Sequence, residues 1–289
     1  MRSSGSSLSG NRSVTDSQAD IKKHDPGRGP GELYIVGTGP GAMEYLPPKA
    51  REVLQKAQVV VGYKTYIKLI GELLEDKKVI STGMQNEVKR ANYALDETMA
   101  GQKVALVSGG DSGIYGMAGL VLEMAVRRNI SIGWRKDRDE GDFDILLEII
   151  AGIPAFTAAA SLLGAPLMHD FASVSLSDLL TPWEVIQNRI EKAAQGDFVI
   201  ILYNPKSKKR NWQLSSAKEI ILKYRKPETP VGIVYSAMRE NQKVNISTLS
   251  NMDSYDVDMQ AIIIVGNSAT FQHGDFMITP RGYLDKYKW

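Results

Sequence analysis

Five short apolar runs, Leu33 to Val36, Val59 to Val61, Val79 to Ile80, Val104 to Val107 and Ile145 to Ile150, are separated for the most part by helix-patterned stretches. That rhythm leaves few folds open. Strands joined through helices return in the same direction, and runs that are apolar throughout have both faces covered. The expectation is an α/β fold with a mostly parallel sheet, in which ligands sit beyond the carboxyl ends of the strands.

Two glycine-rich turns lie at such ends. Gly37-Thr38-Gly39-Pro40-Gly41 follows the first run and precedes a helix with proline in its first turn, Pro47-Pro48-Lys49 onward. Ser108-Gly109-Gly110-Asp111-Ser112-Gly113-Ile114-Tyr115-Gly116 follows the fourth run and precedes a helix near Met117. Glycine lets backbone approach a ligand closely, and Asp111 adds an acceptor. Two such turns favour a small-molecule site over an ordinary strand-to-helix connection. A dinucleotide site wants a third glycine and an acidic residue after the second strand, where Gly62-Tyr63-Lys64 stands instead. Gly62-Tyr63-Lys64-Thr65 also lacks the spacing of a phosphate loop.

Past Ala151-Gly152-Ile153-Pro154 the pattern changes. A small-residue helix over Thr157 to Leu163 is followed by Thr181-Pro182-Trp183-Glu184, which reads as a helix start with a capping box and proline at the first position. Strands are expected at Phe198 to Leu202, Val231 to Tyr235, Val244 to Ser247 and Ala261 to Val265, with a helix from Trp212 to Tyr224. Short strands with tight returns predict a mixed sheet. The expected organisation is a disordered tail over 1–30, an N-terminal α/β domain over 31–152 and a C-terminal α/β domain over 153–289. The charged stretch from Arg127 to Asp144 reads as an exposed loop.

Composition narrows the chemistry. The chain has no cysteine, which removes disulfides, thiolate chemistry and cysteine-ligated metals, and His24, His169 and His273 are too scattered for a metal motif, so no metal is expected. The net charge of +2 sits in residues 1–30, and the remainder is neutral, which counts against a nucleic-acid partner. No apolar run approaches the ~20 residues of a membrane span, and a cytoplasmic location is expected.

Taken in order, GTGPGAMEYLPPKAREVL, VVVGYKTYIKLI, SGGDSGIYGMAGLVLEMA, GAPLMHDFASVSLSDLLTPWEVI, ILYNPKSKKR, TPVGIVYSAMRENQKV, IIIVGNSAT and ITPRGY closely resemble the tetrapyrrole methylase family over nearly everything after residue 31. The local departures are Ala42, Ser112 and a long charged loop near 135–142. The resemblance implies a two-domain fold with the active-site cleft between the domains, S-adenosylmethionine as methyl donor, S-adenosylhomocysteine as product, a tetrapyrrole substrate and a homodimer. It assigns donor binding to Pro40, Gly109, Gly110, Asp111, Ile114, Thr157, Ala158, Tyr203, Asn204 and Ala237. Ring contraction, which the resemblance also implies, needs an acid or base, for which His169, Asp170 and Asp178 are candidates; capping and backbone roles for them stay open. A substrate bearing carboxylates calls for cations, and Lys64, Lys206 and Arg239 are preferred among Lys208, Lys209, Arg210 and Arg281.

Overall fold

A computed structural model describes residues 29–137, 142–208 and 210–287. The expected tail falls almost wholly outside this range, as does Lys209. In the first half β1 (Gly31–Gly37), β2 (Val59–Tyr63), β3 (Lys78–Thr82), β4 (Lys103–Ser108), β5 (Ile132–Trp134) and β6 (Ile145–Ile150) form one sheet in the order β3-β2-β4-β1-β6-β5. Every pairing in it is parallel. The connecting helices are α1 (Pro48–Lys56), α2 (Lys64–Leu69), α3 (Glu87–Met99) and α4 (Ala118–Arg127).

Alternation along the strands explains why the runs are apolar throughout. Leu33, Ile35, Val104, Leu106, Ile145 and Leu147 face α3 and α4, while Tyr34, Val36, Val60, Ala105 and Val107 face α1 through Ala50, Val53 and Leu54. Both faces are core. The stretch read as a loop over 127–144 holds β5, a three-residue strand paired to β6. It is too short for a periodic signal and is bordered by charged residues.

The second half comprises α5 (Ala155–Leu163), β7 (Gly164–Ala165), β8 (Phe171–Ser175), α6 (Trp183–Gln195), β9 (Val199–Tyr203), α7 (Gln213–Leu222), β10 (Pro230–Tyr235), β11 (Lys243–Thr248), β12 (Ala261–Val265), β13 (Phe271–His273), β14 (Phe276–Ile278) and α8 (Tyr283–Lys286). Its main sheet, β11-β10-β12-β9-β8, is mixed: β8 and β9 run parallel and the other pairs antiparallel. Helices α6 and α7 cover one face, and α5 with the small sheet β13-β14-β7 covers the other. Gly232 permits α5 to approach, since a Cβ there would meet Leu163 at 2.3 Å. The expected capping box does not form. Pro182 precedes α6 as its N-cap, which leaves Thr181 outside the helix, and no side chain caps it.

At the amino end of β1 the Glu32 carboxylate is buried among the Tyr34 hydroxyl, Arg135 at 3.0 Å and Lys103 at 3.7 Å. Burial alone would raise its pKa, but these partners outweigh it and bring the carboxyl down to about 2. A depressed carboxylate contributes stability that is complete above its unfolded value near 4.5 and is lost as pH falls toward 2. Arg135 and Lys103 are partly exposed, so the contribution is on the order of 2 kcal/mol. Acid titration followed by circular dichroism should therefore show Glu32→Gln less stable than wild type at neutral pH, the gap closing between pH 4.5 and 2. A gap that persists to pH 2 rejects the ion cluster as its source.

Candidate functional site

The two glycine turns meet. Gly39 and Gly110 exchange backbone hydrogen bonds of 3.0 and 2.8 Å, both in the left-handed region at φ 77° and 68°, which costs glycine little. Thr38 holds the same junction from its side chain, its hydroxyl donating to the Ser108 carbonyl at 3.1 Å. A third glycine completes the floor. A Cβ on Gly152 would lie 2.1 Å from the Gly110 carbonyl oxygen, and one on Gly37 would lie 2.6 Å from the Gly152 nitrogen. The ends of three adjacent strands, β4, β1 and β6, thus touch through bare backbone.

Asp111 pins this floor. One carboxylate oxygen accepts from the Gly113 N–H at 2.8 Å and the other from the Gly152 N–H at 2.9 Å. Gly110 also abuts the start of α5 at Pro154 and Ala155. At the far edge of the first turn the Arg239 side chain packs on Gly41, where a Cβ would stand 2.4 Å from its Cγ and 2.8 Å from its Nε, while the nearest atoms to Gly37, Gly39, Gly109 and Gly110 are backbone or tyrosine.

The opposite wall comes from the second half. Ala158, Tyr203 and Ala237 share one apolar cluster with Phe156 and Met238. The Tyr203 hydroxyl accepts from the Phe156 N–H at 3.3 Å, which satisfies a first-turn donor of α5. Burial, with the nearby Tyr115 and Asp111, pushes that phenol up to about 12 against the lowering effect of the Phe156 N–H. Tyr115 spans the cleft: its ring lies 4.9 Å from that of Tyr203, and its hydroxyl donates to the Ser173 carbonyl at 3.1 Å. Two more links close the far side, where Ala42 donates to the Met238 carbonyl at 2.9 Å and Arg239 Nε donates to the Pro40 carbonyl at 2.8 Å.

Four non-glycine residues at this cleft are left-handed: Tyr115, Asn204, Ser236 and Met238, with φ between 49° and 57°. Each costs roughly 1 kcal/mol or more. Such strain collects where backbone direction serves a site. Tyr115, Ser236 and Met238 carry no sequence signal for it, and the reach of Tyr115 across to Tyr203 and Ser173 is not written in the glycine turn that contains it. Asn204 tolerates the region more readily, and its side chain donates to the Ser175 hydroxyl at 2.9 Å.

Of the residues expected to bind donor, Pro40, Gly109, Gly110, Asp111 and Ile114 lie on the two turns, while Thr157, Ala158, Tyr203, Asn204 and Ala237 lie on the opposing elements. Thr157 is exposed and Ala158 buried. The acid–base candidates are not brought together. Asp178 lies past the carboxyl end of β8 and accepts from the Gln213 amide at 2.8 Å, with Arg210 Nε at 3.9 Å. His169 and Asp170 precede β8, whose five residues span roughly 13 Å. There His169 lines a separate cavity of about 370 Å³ with Asp170, Asp197 and Arg281. His169 and Arg281 thus line a cavity at the opposite end of β8 from Asp178.

Among the expected cations, Lys64 opens α2 and is exposed. The Lys206 ammonium donates to the Asp253 and Tyr255 carbonyls at 3.1 and 3.4 Å, which ties the loop after β9 to the loop after β11 and uses two of its three N–H groups. Arg210 likewise holds the Leu176 and Asn204 carbonyls. Arg239 is the cation that reaches the first turn.

A family model described as Tetrapyrrole (Corrin/Porphyrin) Methylases matches residues 32–253. The chain is 49% identical over 257 residues to a cobalt-factor III methyltransferase of Priestia megaterium, covering 89% of this chain and 46% of that protein. It is 47% identical over 251 residues to a probable cobalt-factor III C(17)-methyltransferase of Salmonella typhimurium, covering 87% of this chain and 99% of the relative. It therefore spans less than half of the first relative and nearly all of the second. A crystal structure of the methyltransferase CobJ superposes with a TM-score of 0.77 at 31% identity, covering 86% of this chain and all of that one.

Proposed function

The chain belongs to the tetrapyrrole (corrin/porphyrin) methylase family, and on that footing we propose that it moves a methyl group from S-adenosylmethionine to carbon 17 of precorrin-3B or its cobalt-bearing counterpart, with ring contraction, on the way to cobalamin. The names of the relatives at 49% and 47% identity favour the cobalt-bearing ring. The observation that carries the reading is the bare-backbone junction of Gly37, Gly110 and Gly152, locked by Asp111.

S-adenosylmethionine supplies an electrophilic methyl on a sulfonium and presents no phosphate. Gly110, with nothing nearer than 3.5 Å to its Cβ position, lets backbone come close to it, Asp111 offers remaining lone pairs to amine or hydroxyl, and Ala158, Tyr203 and Ala237 exclude water from the facing wall. Methyl displacement proceeds in line, so most of the rate comes from holding the acceptor carbon on axis, which the Tyr115 and Arg239 links between the halves serve. Asp178, at the cleft end of β8, is the acid–base candidate for ring contraction. The reading carries with it a cytoplasmic homodimer, which light scattering on the purified protein would check.

Incubation with S-adenosylmethionine and either macrocycle, followed by mass spectrometry, should show gain of one methyl, faster on the cobalt form. No methyl gain on either ring, with S-adenosylhomocysteine bound, would assign the chain another substrate. Calorimetric binding of NAD instead would make it an oxidoreductase.

A further inference from the structure

Resting on that methyl-transfer reading, we infer that the Tyr66 hydroxyl and the Arg239 guanidinium form a seat for one carboxylate of the macrocycle, built across the two halves of the chain. Tyr66 lies in α2, and its ring packs on Gly109: a Cβ there would stand 2.4 Å from Cε1 and 2.6 Å from Cζ. Contact through those atoms puts the hydroxyl-bearing end of the ring at the second glycine turn. Tyr63 meets the ring edge-on at 5.4 Å between centroids, and Arg90 stands 5.7 Å from the Tyr63 ring, so Tyr66 is held in place. Its hydroxyl makes no hydrogen bond to a described residue, yet it is not a sealed-in polar atom. A fixed ring with an open hydroxyl is a binding group.

Arg239 supplies the charge. Its side chain packs on Gly41 of the first turn, that turn is bonded to the second through Gly39 and Gly110, and Tyr66 packs on Gly109 beside that junction, so both side chains border the joined turns. From there Arg239 opposes the rise that burial gives the Tyr66 phenol. Its Nε is spent on the Pro40 carbonyl and Nη1 reaches Gln260 at 3.5 Å, while Nη2 has no hydrogen-bond partner among the described residues. A neutral O–H donor beside a cationic N–H donor suits a carboxylate, whose two oxygens each accept a charge-assisted bond.

The test is fluorescence titration with uroporphyrin III, a stable macrocycle bearing carboxylates, alongside calorimetry with S-adenosylhomocysteine. Tyr66→Phe keeps the ring on Gly109 and should weaken porphyrin binding about tenfold, with S-adenosylhomocysteine affinity unchanged. In an Arg239→Gln background the same change should matter less than about twofold, because the two groups share one ligand oxygen pair. Equal porphyrin binding by wild type and Tyr66→Phe, including none by either, overturns the seat. So does a loss confined to S-adenosylhomocysteine, or full additivity of the two substitutions. A wild type that binds porphyrin but methylates neither macrocycle would sink the proposed reaction and leave the seat standing.

Discussion

Gly152→Ala is expected to lower stability by about 3 kcal/mol and to weaken S-adenosylhomocysteine binding at least tenfold. The added methyl would sit 2.1 Å from the Gly110 carbonyl oxygen and 2.8 Å from the Gly37 carbonyl carbon. Both obstacles are backbone, one in the second glycine turn and one at the end of β1, and cannot rotate aside as a side chain could, so the end of β6 or the second glycine turn must move. For a chain of this size the melting temperature should fall by roughly 5 °C. Gly119→Ala makes the control, since Gly119 lies in α4 with nothing within 4 Å of its Cβ position. There the gain in helix propensity should raise stability by up to about 1 kcal/mol. Equal melting temperatures for Gly152→Ala and wild type would mean the three-glycine contact is not tight in solution.

The second large effect is expected at Asp111, whose two oxygens each take a backbone N–H from a different turn. Asp111→Ala leaves the Gly113 and Gly152 donors unpaired and frees the loop that carries Gly109 and Gly110. Donor affinity should fall by roughly 1 to 3 kcal/mol, which calorimetry with S-adenosylhomocysteine measures directly. Asp111→Asn should do little better, because its amide turns a second donor toward an N–H. A folded Asp111→Ala protein with wild-type affinity would take the residue out of the donor site.

The first sheet was readable because parallel strands covered on both faces are apolar at every position, as Leu33 to Val36 and Ile145 to Ile150 show. The same physics hid β8, an edge strand of sequence FASVS with two exposed residues, and the two- and three-residue strands of the small sheet. The glycine turns of the site were legible as punctuation at strand ends. Their partners were not. Nothing local to Asp111 says that it reaches Gly152, 41 residues on, and nothing in NPKSK says that the Lys206 ammonium ends on carbonyls of residues 253 and 255. Such pairings depend on how loops converge, which one sequence does not carry.

The strand order of the first sheet also sets a timetable for synthesis. β1 is made early but lies between β4 and β6, and its first partner is about 70 residues downstream, where Glu32 pairs with Lys103. At about 5–20 residues per second, the apolar segment LYIV waits several seconds after leaving the ribosome before any neighbouring strand exists. Its second partner, β6, comes later still. The glycine cradle, built from the ends of β1, β4 and β6, is therefore assembled only once β6 and Gly152 have emerged, and until then β1 is the part of the nascent chain that a chaperone has most reason to hold.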